Sequence, residues 1–150
     1  MVPNSRSVSS VAVNPANGEV FVTQKIDSVV YRLDVATGAL QPVFDFGSLG
    51  PVRWIAVRGN RLAGVVRGRL ANVPGVLVGQ QTWFDYGGEP YVVTLPDGAP
   101  VPLTINDHLY RGLHFNPAGT ALVGEGAPFT VEPSGDTVIA RTTNLWLWRF

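Results

Sequence analysis

One local pattern recurs three times along this chain: a short apolar strand, a tight turn, and a second apolar strand running back. The first copy reads Val8 to Val13, turns through Asn14-Pro15-Ala16-Asn17-Gly18, and returns as Glu19 to Thr23. It resumes as Val29 to Asp34, turns at Ala36-Thr37-Gly38 and ends as Leu40 to Phe44. The second opens as Val52 to Val57, turns at Arg58-Gly59-Asn60 and returns as Arg61 to Val66. After an insertion between Arg67 and Glu89 it continues as Pro90 to Leu95 and, past Pro96-Asp97-Gly98, as Val101 to Thr104. The third runs Arg111 to Phe115, turns at Asn116-Pro117-Ala118-Gly119, and returns as Thr120 to Glu125, with a last strand at Leu145 to Phe150. Val13, Val57 and Phe115, which end the first strand of each copy, lie 44 and 58 residues apart, and the insertion accounts for the larger interval. A repeat of that period is one four-stranded sheet per copy, a unit that buries its faces by stacking on its neighbours.

The residue types agree. The runs are rich in Val, Phe, Tyr and Leu, and the breaks are filled by Asn, Pro, Gly and Asp, which supply the fixed or positive φ that turns require. With 45% hydrophobic residues, 15% charged, 17 Gly and 12 Pro, the balance favours many short strands over long solvated helices. Several strands, among them Leu145-Trp146-Leu147-Trp148 and Tyr91-Val92-Val93, lack polar alternation, as sheets covered on both sides do. The expectation is an all-β chain: a partial β-propeller of about three antiparallel four-stranded blades, at about 8–46, 51–105 and 109–150, after a disordered segment 1–7. A β-sandwich is the alternative, but its strand order mixes and need not repeat. Three blades are too few to close a ring. A hairpin at Phe129 to Arg141 stands where a fourth strand of the last blade is expected.

Two segments carry a resemblance. Val11-Ala12-Val13-Asn14-Pro15-Ala16-Asn17-Gly18 and Leu113-His114-Phe115-Asn116-Pro117-Ala118-Gly119 resemble the strand, S/N-P-D/A-G, strand signature of TolB-type, WD-like bacterial propeller repeats. Tyr31-Arg32-Leu33-Asp34-Val35-Ala36-Thr37-Gly38 and Asn144-Leu145-Trp146-Leu147-Trp148 are similar to the segment that follows in that family. The second copy departs from it, since Arg58-Gly59-Asn60 has no Pro, and Ala16 and Ala118 replace the aspartate. The resemblance implies a six- to eight-bladed ring used for interaction or sensing, in periplasmic or other extracytoplasmic proteins, beside bacterial kinases or before hydrolase domains. It implies no catalytic residues of its own.

Composition narrows function further. Lys and Arg (11) balance Asp and Glu (11), so the surface as a whole is no nucleic-acid platform. No cysteine is present, which removes disulfides and thiolate chemistry, and no apolar run reaches the length of a membrane helix. In a meander, the turns after first and third strands share one end of the sheet, and here all are short. The opposite end receives Phe46 to Pro51, Arg67 to Glu89, Ile105 to Tyr110 and Gly126 to Asp136, so long loops gather where binding residues usually sit.

The candidate binding residues are on that end. Arg67 and Arg69 are the half of an arginine run (Arg53, Arg58, Arg61, Arg67, Arg69) placed to meet an anionic partner, Arg58 and Arg61 being read as solvated at the other end. Trp83, Phe84 and Tyr86, with Asp85 between them, would stack a ligand or anchor a protein, or else cap their own blade. Asp107 and His108 sit in a connecting loop, and His114 begins a strand. That spacing completes no metal shell, and Gly47-Ser48-Leu49-Gly50 lacks a nucleophile elbow for a Ser48, His108 and Asp107 triad. The reading is of a non-enzymatic binding or scaffold module that recognises a protein or envelope ligand through its long-loop end, with no metal, cofactor or nucleic acid. The alternative is an accessory to a kinase or hydrolase domain elsewhere. Expected partners are a protein, further blades, or a second copy completing a ring.

Overall fold

A computed structural model describes residues 7–66, 88–103, 108–131, 138–140 and 144–150. They form three four-stranded antiparallel sheets. The first is a simple meander of β1 (Val8–Val13), β2 (Val20–Gln24), β3 (Val29–Leu33) and β4 (Leu40–Asp45). After a single 3-10 turn at Gly47–Leu49, the second repeats it with β5 (Val52–Arg58), β6 (Arg61–Val66), β7 (Glu89–Thr94) and β8 (Val101–Pro102). The third holds β9 (His108–Phe115), β10 (Ala121–Val131), β11 (Val138–Ala140) and β12 (Asn144–Arg149), with β10 between β9 and β12. Strand order within the first two sheets follows the chain, and there are three sheets rather than two, so the sandwich is excluded.

Turn chemistry sets these registers. The Asn14 side-chain oxygen accepts the Ala16 N–H at 3.1 Å, and Gly18 at φ 76° lets the chain turn back so that Val13 pairs with Val20. Asp34 does the same at the β3–β4 turn, taking the Ala36 N–H at 2.9 Å. Side chains then alternate between faces along each strand. In the second sheet the alternation is apolar on both sides. Ile55, Val57, Leu62 and Val66 pack against Phe21 and Val30 of the first sheet, while Ala56, Ala63 and Val65 pack with Leu113, Leu122, Trp146 and Trp148 of the third. Each fully buried Val or Leu there stabilises by about 1.5–3 kcal/mol. The two apolar faces of β5 and β6 are thus the reason the three sheets stack.

The third sheet departs from expectation in three places. Residues 108–110, read as part of a connection, belong to β9, and His108 lies in a strand opposite Pro128 instead of in a loop. Residues 126–131, read as the start of another connection, continue β10. The hairpin at Phe129 to Arg141 does form over its described part, but β11 pairs with β10 at Phe129–Val131 and lies beyond the end of the β10–β12 pairing at Gly126. It lengthens the sheet rather than supplying a fourth strand outside β12. The two-sided apolar character expected of Leu145 to Trp148 is present, yet only the Trp146 and Trp148 side is packed; Leu145 and Leu147 are exposed. Segment 1–7 lies outside the described residues apart from Ser7, whose carbonyl accepts the Lys25 N–H.

Candidate binding surfaces of the blade stack

β1, β5 and β9 each begin a sheet and each pair on one side only, and they lie next to one another. Hydrogen bonds tie the first blade to the second at both ends. At the short-turn end the Asn14 amide bridges to the next sheet's first turn, donating to the Gly59 carbonyl at 2.9 Å and accepting the Gly59 N–H at 3.0 Å. Asn14 is almost wholly buried. One sheet on, Arg61 donates to the Gly119 carbonyl and lies over the Phe150 ring at 5.2 Å, while the Arg58 stem packs under Gly119. At the opposite end the Ser9 hydroxyl donates to the Arg53 carbonyl at 3.1 Å, the Ser10 hydroxyl accepts the Ile55 N–H at 3.2 Å, and the Asp27 carbonyl accepts the Val52 N–H at 3.0 Å. The expectation that Arg58 and Arg61 are merely solvated is therefore corrected: both hold the second sheet to the third.

The long-loop end is stiffened by three carboxylates. Asp27 accepts from the Tyr31 hydroxyl at 2.6 Å and the Val29 N–H at 3.1 Å. Asp45 accepts from the Ser28 hydroxyl at 2.6 Å and the Gly47 N–H at 2.8 Å, and these bonds, the Ser28 one foremost, hold its carboxyl below the usual range. Glu89, 3% exposed, accepts from the Tyr91 hydroxyl at 2.9 Å. Asp27 and Asp45 shape the loops at this end, and Glu89 bonds within β7 beside it. β10 also carries its last residues and β11 toward it, past the end of β12.

Of the sequence-derived candidates, Arg67, Arg69, Trp83, Phe84, Asp85, Tyr86 and Asp107 lie outside the described residues; Val66 and Gly88, which flank most of them, stand at this end of the second sheet. The His108 backbone pairs in β9, and its side chain also lies outside the description. His114 is exposed on β9, and among the described residues no three His, Asp or Glu side chains gather to hold a metal.

A surface that sequence reasoning missed lies along the three first strands. Val11, Val13, Ile55, Val57, Leu113 and Phe115 wall a groove of about 430 Å³, with Arg58, His114 and Asn116 toward its short-turn end and no carboxylate in its lining. It would accept an extended apolar segment, with positive charge at one end. The repeat placed its strands, but nothing in residue spacing tells which edges of separate sheets converge.

No protein-family model matches the chain, and no curated protein matches it. Solved structures do. The β-propeller domain of Cps50 (Swd1) from Myceliophteria thermophila superposes over 89% of this chain and 48% of its own, with a TM-score of 0.50 at 9% identity. This chain is built of β-propeller blades. Its blades also match the tricorn protease over 99% of this chain and 14% of that one (TM-score 0.60, 9% identity). YCF48 bound to D1 peptide matches over 89% and 39% (TM-score 0.51, 15% identity). The three blades thus span about half or less of the length of each of these propeller chains. Among the described residues no helix is long and apolar enough to cross a membrane.

Proposed function

We propose that these blades form a non-catalytic binding module that recognises a protein segment through the long-loop end. The observation that carries this is the asymmetry between the two ends of the stack. At one end the connections after β1, β3, β5, β7 and β9 are tight, and those after β1, β5 and β9 are engaged in holding blade to blade. At the other end β6 and β7 are separated by residues 67–88, and β10 runs on beyond its neighbour β12. A rigid stack with its variable chain concentrated at one end is the usual architecture of a recognition surface. The ligand class we assign is a polypeptide, the class that YCF48 holds in its complex with D1 peptide. Arg67 and Arg69 would meet its acidic groups, and Trp83, Phe84 and Tyr86 its apolar anchors, with Asp85, Asp107 and His108 at the rim.

Immobilised chain and a variant carrying Arg67→Ala, Arg69→Ala, Trp83→Ala and Phe84→Ala would be compared for the proteins they capture, each with its thermal midpoint measured. The expected result is loss of a specific captured protein at an unchanged midpoint. Identical capture by both chains at equal stability overturns the proposal.

A further inference from the structure

At the short-turn end a cleft of about 450 Å³ opens between the first blade and the second, a size that takes a small ligand. Phe21, 3% exposed, lines it with the half-buried Val43 and Leu95, and all three belong to the core that packs these two blades together. Pro42 of the first blade and Pro96 of the second are exposed beside them and carry no N–H to offer a ligand. Both walls are held. On the second blade the Leu95 N–H donates to the Asn60 carbonyl at 2.7 Å, joining the β5–β6 and β7–β8 turns, and Asn14 fixes the N–H and carbonyl of Gly59.

On the first blade Phe21, Arg32 and Gln41 stand in one cross-strand row over β2, β3 and β4. The Arg32 guanidinium gives one N–H to Glu19 at 2.7 Å and another to the Gln41 side-chain oxygen, and the Asn17 amide steadies Glu19 at 2.8 Å. A part-exposed ion pair adds little to folding; the bracing fixes where the fork lies. Two of its five N–H groups are used, and the others, with the Gln41 side-chain NH2, take no acceptor among the described residues. This wall therefore offers donors. Its charge is already balanced, since Glu19 cancels Arg32, and an adjoining hollow that shares Glu19, Arg32 and Gln41 with the cleft adds the Asp34 carboxylate. An incoming carboxylate would meet two charges of its own sign, whereas an uncharged acceptor meets none.

We propose that this cleft binds an extended polypeptide segment, taking a leucine-sized aliphatic side chain between the blades and the adjacent backbone carbonyl on Arg32 and Gln41. A peptide is the occupant because it joins the two parts the cleft asks for, an apolar side chain and an uncharged carbonyl one residue from it. The walls are preorganised by bonds already made within and between the blades, so little ordering is left for the ligand to drive. The site lies at the end of the stack opposite the long loops and does not rest on recognition through them.

The test is a titration of the nitrogen-15-labelled chain with the blocked tripeptide acetyl-glycyl-leucyl-glycine amide, read by amide chemical shifts. Saturable shifts are expected at Val43, Asn60 and Leu95 and at the Arg32 side-chain N–H. The matching probe with glycine in place of leucine loses the buried side chain and should bind at least about tenfold more weakly. The aspartyl probe, which brings a carboxylate, should be weaker still than the leucyl one. Arg32→Met keeps an apolar stem and removes the fork, and about a tenfold loss is expected at a thermal midpoint near that of the parent. Should that variant fail to fold, Gln41→Glu replaces the free donor by an acceptor while keeping a partner for Arg32, and it too should weaken binding. No saturable shift, shifts confined to the long-loop end, equal binding of the glycyl or aspartyl probe, or undiminished binding by a folded variant each overturns the proposal. Failure of the capture experiment at the long-loop end leaves these shifts unaffected, so the two readings fall separately.

Discussion

Replacing Asn14 by alanine tests whether the first turns are what hold the blades in register. The substitution removes three hydrogen bonds: two to the Gly59 backbone, at 2.9 and 3.0 Å, and one from the Ala16 N–H at 3.1 Å. Each contributes about 0.5–1.5 kcal/mol net. Ala16 and Gly59 are exposed, so water reaches the backbone groups left behind and the loss stays near the net value of the bonds, about 2–3 kcal/mol in all. At about 2–4 °C per kcal/mol for a chain of this size, the thermal midpoint falls by about 4–12 °C. Amide hydrogen exchange gives the sharper reading. The Gly59 N–H has the Asn14 oxygen as its partner, so in Asn14→Ala its protection drops to that of an open turn. Asn116→Ala, whose lost bonds all lie within residues 116–121, leaves Gly59 protected. Unchanged Gly59 protection in a folded Asn14→Ala chain would refute the reasoning, whatever the midpoint does.

Two further substitutions probe packing and charge. A Cβ at Gly124 would come within 2.9 Å of Leu113 Cδ2 and 3.0 Å of the Trp148 ring, whose indole N–H is tied to the Leu103 carbonyl at 3.1 Å; Gly124→Ala should cost about 1–3 kcal/mol in urea and alter the near-ultraviolet tryptophan signal, and a parent-like midpoint would show that the interface repacks freely. Glu19 accepts from Arg32 at 2.7 Å and from Asn17 at 2.8 Å, and these bonds, Arg32 first, hold its carboxyl below the usual range. A depressed carboxyl stabilises above its unfolded value and that contribution is lost as pH falls through the folded one, so Glu19→Gln should narrow the difference in urea midpoint between neutral and acidic pH. Both partners are part-exposed, which keeps the effect below about 1 kcal/mol, and an unchanged acid dependence would show the pair contributes nothing.

The fold was legible because its information is local. Val52 to Val66 reads as two strands and a three-residue turn, and the structure places β5 and β6 there with Arg58 alone moved from the turn into β5. What was misread is where tertiary pairing overrides a local breaker. Gly126-Ala127-Pro128 has the composition of a loop, yet β9 lies alongside, and Gly126, Ala127 and Pro128 pair with Tyr110, Leu109 and His108. The roles of Asn14, Arg58 and Arg61 were hidden for a different reason. An asparagine or arginine at a turn has a complete local explanation, in an Asx-type bond or in solvent, and its partner across the interface is 45 or 58 residues away. The long-loop candidates were legible as positions in a topology, never as a geometry, because no repeat constrains residues 67–87.

These cross-blade contacts explain why the two ends of the stack can differ so much. Residues at the short turns face two demands at once, closing their own hairpin and meeting the next blade: Asn14 spends one side-chain atom on Ala16 and two contacts on Gly59, and Arg61 reaches Gly119 from a turn of two residues. A longer turn there would displace the group the neighbour holds. At the other end Ser9 and Ser10 join the first blade to the second from within β1, and the Asp27 carbonyl joins them from the short β2–β3 connection. Among the described residues that end is thus held by the β1 hydroxyls and the β2–β3 connection, and recognition through it is the proposal that the capture experiment tests.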